Sequence, residues 1–404
     1  MANAAEVFLR PGKERSLQRR HPWIYDTAIG RVKGSPAAGD TVAVRSHDGQ
    51  WLAWAGFSPS STLRARCWSF VESDRIDAAW LAARVQEAVD RRAHLAKASD
   101  ALRLVFGEAD GLPGLIADRY ADQLVVQFQA AGVEAHREAL LDALASATGC
   151  TDVFDRSDSA GRAREGLPPA RGVARGAEPA PRIAIREHGR RSWVDVRTGH
   201  KTGYYIDQRD NRELAFTLAA RARAALGRDV AALNCFCYTG GFSVALAAGG
   251  ASEVLSIDSS AEALALAQEN WRLNGLPETV GQWQGANVFD ALRSLRADGR
   301  SFDLIVLDPP KFAASHHHVD RAARAYKDIN LSALRLLAPG GCLLTFSCSG
   351  AIGIELFQKI VAGAVIDAGA EAQLLRRLAA GEDHPLRMTH PEGEYLKGLL
   401  LQRL

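Results

Sequence analysis

The rhythm of apolar and polar positions changes twice along the chain. Over residues 1 to about 72 the apolar residues come in short runs, DTVAVRS, WLAWAGF and TLRARCWSF, broken by Gly, Asp, Pro and Ser. That spacing predicts a small β-barrel. From about 73 to 197 a long helical stretch, RIDAAWLAARVQEAVDRRAHLAKA, leads to strands ALRLVFG, LIADRY and QLVVQFQ, a helix over 133–148 and a late hairpin, RIAIREHGRRSWVDVR. This mixture predicts an α+β middle domain. Within it, REGLPPARGVARGAEPAPR is rich in Pro, Gly, Ala and Arg, and is expected to be a mobile loop or insertion. From about 198 to 404 the strands DVAALNC, EVLSID, TVGQWQG, FDLIVLD, GCLLTFS and EYLKGLLLQRL alternate strictly with helical segments. Such alternation predicts an α/β domain with a doubly wound, largely parallel sheet, whose ligands sit at the carboxyl ends of the strands.

Composition narrows the class. The chain has 404 residues, 47% hydrophobic and 24% charged, and a net charge of +2, so no global charge demands a nucleic-acid partner. Locally, over residues 1–75, Lys and Arg outnumber Asp and Glu by 11 to 7. With Trp23 and Tyr25 beside them as stacking faces, these residues fit either a solvated surface or an RNA-docking module. No apolar run suits a signal peptide or a membrane span, so a cytoplasmic location without a membrane partner is expected. The six cysteines, at 67, 150, 235, 237, 342 and 348, form no C-x-x-C pair, which predicts reduced thiols and no structural metal. The HHH run at 316–318 is expected to be solvated loop or RNA-facing surface, because consecutive side chains do not converge on one ion.

The chemistry collects at strand ends. The first strand of the last domain runs into NCFCYTGGFS, where Gly240 and Gly241 allow a tight turn before a helix. The G-x-G-x-x-G spacing of a pyrophosphate cradle is absent. S-adenosylmethionine has no phosphate and asks only for close backbone approach. Asp258 closes the next strand, 18 residues after Gly240, and suits the two ribose hydroxyls. Ser259 and Glu262 are expected to form a capping box for the helix that follows. Near the end of the third strand Asn287 offers an amide to the adenine edge.

FDLIVLDPPKF drives an apolar strand into Asp308, and two prolines then stop the sheet and hold the acid rigidly at its edge. Cys348 ends the next strand, and a helix is expected to start just after it, so that the helix dipole favours the thiolate. Moving a thiol pKa from about 8.5 to near 7 takes roughly 2 kcal/mol. A nucleophile matters because carbon 5 of a pyrimidine attacks a sulfonium methyl only after addition at carbon 6 has made it enamine-like. Protonated or bridged to N3 at the moment of attack, Asp308 is placed to stabilise the charge that develops there. Cys235, Cys237 and Cys342 are expected to be packing residues.

Taken together, NCFCYTGGFS, DPPKF, AYKDIN, LLTFSCSG and HPEGEYLKG resemble the RlmI family of 23S rRNA 5-methylcytosine methyltransferases. The similarity runs nearly end to end. RRHPWIY looks like that family's N-terminal PUA domain, and DGLPGLIADRY and GHKTGYYIDQR look like its middle domain and the entry to its catalytic domain. The resemblance implies a PUA-like barrel over 1–72, a middle domain over 73–197 and a Rossmann-like methyltransferase domain over 198–404. It also implies S-adenosylmethionine as cofactor, 23S rRNA as partner with no metal, and a chain compatible with a homodimer. Cys348 matches the nucleophile and Asp308 the acid. Asp207, Asn234, Tyr238, Gly240, Asp258, Ser259, Asn287 and Asp308 form the cofactor set. Asn234 stands where relatives often carry Asp, as Asn287 does, and the segment 162–177 is longer than in relatives. Methylation of a guanine nitrogen, which needs no thiol, and a non-catalytic RNA-binding assembly factor are the competing readings.

Overall fold

The computed structural model describes residues 5–313 and 318–404, which form two compact units. The first comprises Met1–Ile185, Val194–Ile206 and Glu382–Gly393, and the second Arg186–Trp193, Asp207–Gly381 and Glu394–Leu404. His316 and His317 of the histidine run lie outside the described residues.

In the first unit, β1 (Glu6–Leu9), β2 (Trp23–Ile24), β3 (Ile29–Lys33), β4 (Thr41–Arg45), β5 (Trp51–Phe57) and β6 (Ala65–Ser69) form one sheet in the order β2-β6-β5-β4-β1-β3. Its core is Val7, Leu9, Ile24, Val42, Val44 and their neighbours. A second sheet holds β7 (Ala101–Phe106), β8 (Leu115–Tyr120), β9 (Gln123–Phe128), β10 (Asp152–Ser157) and β11 (Ala170–Arg175), in the order β11-β10-β9-β8-β7. Helices Ala78–Arg92 and Arg137–Thr148 share its core.

The segment expected to be a mobile loop is therefore partly ordered. It contains β11, which pairs antiparallel with β10, and Glu165 ahead of β11 is buried and bonded to Arg66 at 2.9 Å. As an edge strand β11 needs no apolar face, so its Arg-rich sequence hides it. Strand β10 is hidden for the opposite reason: it buries charge. Asp155 pairs with Arg137 at 2.6 Å, and Arg156 donates to the Val196 carbonyl at 2.8 Å.

The hairpin of β12 (Ile183–Glu187) and β13 (Arg190–Val194) falls largely in the second unit, and after Val194–Ile206, which belong to the first, the chain runs on in the second from Asp207. There β14 (Ala231–Cys235), β15 (Glu253–Asp258), β16 (Gly281–Gly285), β17 (Phe302–Leu307), β18 (Leu337–Ser347), β19 (Ala372–Ala379) and β20 (Lys397–Arg403) form one sheet, ordered β16-β15-β14-β17-β18-β20-β19. The first five are parallel and β20 runs antiparallel to both neighbours. Period 2 sends alternate residues to opposite faces. Leu233, Ile305 and Leu343 pack toward helices Val288–Ala297, Val319–Leu336 and Ile354–Ala368, while Ala232, Leu304 and Leu344 pack toward helices Arg209–Leu226, Gly241–Ala248 and Ala261–Leu273. With both faces covered, the strands read as apolar runs.

Strict alternation fails at the end, because β19 follows β18 and its helix and is itself followed directly by another strand. The sequence pattern predicts a helix after Cys348 and shows no strand over 372–379. Six of the eight residues of β19 are exposed, which is why AQLLRRLA shows no strand pattern.

Candidate active site

Strand order reverses between β14 and β17, opening a crevice at their carboxyl ends. Beyond β14, Phe236, Tyr238 and Gly240 all have positive φ, at 59°, 46° and 79°. The chain is thus folded back tightly before helix Gly241–Ala248 begins. A Cβ on Gly240 would lie 2.9 Å from the Cβ of Ala267, so the turn requires glycine there for space as well as for conformation. The Tyr238 backbone N–H donates to Asp258 Oδ2 at 2.9 Å, and the Ser260 N–H donates to Oδ1 at 2.9 Å. Asp258 therefore fixes the turn against the tip of β15.

Asn234 is buried in β14. Its Nδ2 donates to Ser243 Oγ at 2.9 Å, Ser243 meets Ser256 at 2.7 Å, and Asn234 Oδ1 has no partner. It belongs to the layer beneath the turn. Asn287 caps helix Val288–Ala297, its side chain accepting from the Phe289 N–H at 2.9 Å. The expected capping box on Ser259 is corrected: Ser260 is the cap, accepting from the Ala263 N–H at 3.2 Å, and Ser259 is exposed. Asp207 is buried ahead of helix Arg209–Leu226, and its Oδ2 accepts from the Tyr395 hydroxyl at 2.5 Å.

The cradle fits a phosphate-free nucleoside. Backbone approaches closely where a side chain is excluded, and a carboxylate stands at the adjacent strand tip. Phe236, Phe289 and Phe312, each half-buried, add an aromatic wall, with centroids 6.4 Å and 6.0 Å from Phe312. Residue spacing gave no signal for that wall, since its members come from the turn after β14, the first turn of helix Val288–Ala297 and the loop after β17.

Asp308 and Cys348 leave the neighbouring parallel strands β17 and β18 at the same sheet edge. The Asp308 N–H points to the Cys235 carbonyl at 3.5 Å, and the Cys348 thiol lies 3.9 Å from the Pro309 carbonyl. Cys348 is half-buried, whereas the other five cysteines are buried. Burial raises the thiols of Cys235, Cys237 and Cys342 and pushes that of Cys67 up to about 12. Cys348 is thus the one thiol of the six that is not buried. The helix expected just after it starts later, at Ile354 with Gly353 as its cap. A dipole acts over about one turn, so Cys348, six residues ahead, gains little from it.

Beneath Cys348 is a polar layer that the sequence reading missed. Ser347 Oγ donates to the Tyr326 hydroxyl at 2.9 Å, Tyr326 meets Ser349 Oγ at 3.0 Å, and Lys397 Nζ donates to the Ser349 carbonyl at 2.9 Å. AYKDIN and EYLKG, noted in the sequence as motifs without a role, supply Tyr326 and Lys397. In the first unit, of the two proposed stacking residues only Tyr25 is exposed; Trp23 donates to Glu108 at 2.8 Å and packs 4.5 Å from the His390 ring.

Comparison with known proteins agrees with these features. Residues 166–379 match a family described as S-adenosylmethionine-dependent methyltransferase, and residues 7–70 match a PUA-like domain. The chain is 47% identical over 401 residues to Ribosomal RNA large subunit methyltransferase I of Shewanella denitrificans, covering 98% of this chain and 99% of the relative. It is 47% identical over 402 residues to the protein of the same name from Aeromonas hydrophila, covering 99% of each. Among solved structures, a putative methyltransferase complexed with SAH aligns with a TM-score of 0.84 at 20% identity, covering 98% of this chain and 99% of that one. A putative SAM-dependent methyltransferase from Streptococcus mutans aligns with a TM-score of 0.82 at 20% identity over the same shares. At that identity, the likeness is one of fold.

Proposed function

The chain belongs to the family of ribosomal RNA large subunit methyltransferase I, and from that premise we propose that it methylates carbon 5 of a cytosine in 23S rRNA through a covalent bond from Cys348 to carbon 6. The observation that carries this reading is the half-buried thiol lying 3.9 Å from the carbonyl of Pro309, in the turn that Asp308 begins.

S-adenosylmethionine supplies an electrophilic methyl group. The turn of Phe236, Tyr238 and Gly240 would hold the nucleoside end of the cofactor, Asp258 the ribose and the Asn287 amide the adenine edge. Cys348 thiolate spends its electron pair on the S–C6 bond, which leaves carbon 5 nucleophilic. Asp308, protonated at the moment of attack, donates a hydrogen bond to N3 and so stabilises the negative charge that develops there. Carbon 5 takes the methyl group as its bond to the cofactor sulfur breaks, leaving S-adenosylhomocysteine; the carbon 5 proton then passes to water, and the electron pair it leaves restores the aromatic ring and expels Cys348 as thiolate when the S–C6 bond breaks. The target base must be extruded from its RNA to reach the sheet edge, and the PUA-like domain is the module suited to hold the surrounding RNA.

The test is transfer of labelled methyl groups to large-subunit rRNA, followed by nucleoside analysis. 5-Methylcytosine is the expected product. A methylated guanine would replace the cytosine reading, and no transfer despite cofactor binding would favour a non-catalytic role.

A further inference from the structure

Lys397 opens β20 directly opposite Ser347, the residue before the thiol. It is 2% exposed. Its Nζ makes one hydrogen bond, to the Ser349 carbonyl at 2.9 Å, and no carboxylate pairs with it among the described residues. A buried ammonium held by a single carbonyl is costly, and natural folds rarely keep one without an anion to complete it. Gly398 shows that this end of β20 is built to fit closely, since a Cβ there would meet the Phe346 ring at 2.5 Å.

We propose that Lys397 is a positioning residue whose buried ammonium is the fixed counter-charge of the Cys348 thiolate. The proposal rests on the reading of Cys348 as nucleophile, and replaces the helix dipole as the cause of its ionisation. Burial lowers the Lys397 pKa, Glu394 and a negative charge on Cys348 raise it, and Lys311 lowers it further. Coupling between two titrating groups is reciprocal. If the charge on Cys348 favours protonated Lys397, protonated Lys397 favours the thiolate. Tyr326, the other titratable group facing the thiol from the helix beneath, feels the same charge, which raises its pKa after burial and against its bonds to Ser347 and Ser349. Asp308 stands on the turn above. Lys397 keeps its proton throughout: the thiolate pair forms the S–C6 bond and returns to sulfur when that bond breaks.

The test needs no RNA, because Cys348 is the one cysteine of the six that is not buried. The rate of its alkylation by iodoacetamide is followed against pH in full-length protein with S-adenosylmethionine binding measured in parallel. In the wild type the midpoint should fall below the ordinary thiol value of about 8.5. Lys397→Met should slow alkylation at neutral pH about tenfold and move the midpoint up, and Lys397→Arg should restore most of the rate. A cofactor-binding Lys397→Met protein with an unchanged profile overturns the proposal. So does a wild-type midpoint at or above about 8.5, a result that requires no variant to fold. Methyl transfer by Cys348→Ala would sink the covalent mechanism, while the alkylation profile would still report on Lys397 itself.

Discussion

Buried cations are treated in two ways in this molecule. In the first unit three arginines hydrogen-bond a carboxylate: Arg103 holds Asp118 with two bonds of 2.7 Å, Arg92 holds Asp110 with two of 2.8 Å, and Arg162 meets Glu134 at 2.8 Å. In the second unit Arg212 grips Glu187 at 2.7 Å and 2.6 Å in the same manner. Lys397 has a lone carbonyl instead. The paired arginines complete their own electrostatics and act as structural clamps. A cation left without a carboxylate beside residue 348 is what the proposed Cys348 thiolate would require as counter-charge.

Removing one partner from a clamp should have the largest effect on stability. Arg103→Met leaves Asp118 buried without a counter-charge, its remaining donor the Thr202 hydroxyl at 2.5 Å, and should lower unfolding free energy in urea by about 3–5 kcal/mol. Glu187→Gln should be of the same class, but pH-dependent. Burial alone raises the Glu187 pKa, yet the Arg212 guanidinium, with Arg190 and Arg209, brings it below the ordinary glutamate value of 4.5. A depressed carboxylate stabilises the fold above its unfolded pKa and loses that contribution as pH falls through the folded one. The gap between wild type and Glu187→Gln in thermal unfolding should therefore be wide at neutral pH and close on acidification. Ser260→Ala removes one helix cap and should cost about 1 kcal/mol. Lys397→Met should change stability least, by less than about 1 kcal/mol or in the favourable direction, because it deletes a charge that lacks a carboxylate. A loss matching that of Arg103→Met would erase the distinction between the two kinds of cation.

What the sequence made legible were the features with a local signature. Strands β14, β15, β17 and β18 are apolar runs because both sheet faces are covered, and the glycine turn and the D-P-P stop punctuate their ends. Strands β10, β11 and β19 escaped because they bury paired charge or lie at an edge, where alternation carries no apolar signal. The choice between Ser259 and Ser260 as cap turned on a one-residue offset that a motif does not resolve. Lys397 was hidden for a different reason. Its place beneath Cys348 comes from antiparallel pairing of β20 with β18, between residues 50 positions apart, and no spacing rule foretells that a terminal-strand lysine is buried.

The covalent role of Cys348 is tested most directly with RNA containing 5-fluorocytosine at the modified site. After methyl transfer to a fluorinated carbon there is no proton to lose, so the S–C6 bond has no route to break. Wild-type protein incubated with S-adenosylmethionine and this RNA should yield a denaturation-resistant adduct whose crosslinked peptide contains Cys348, and Cys348→Ala should yield none. An adduct mapped to another residue, or no adduct from a preparation that methylates the unfluorinated RNA, would contradict the mechanism.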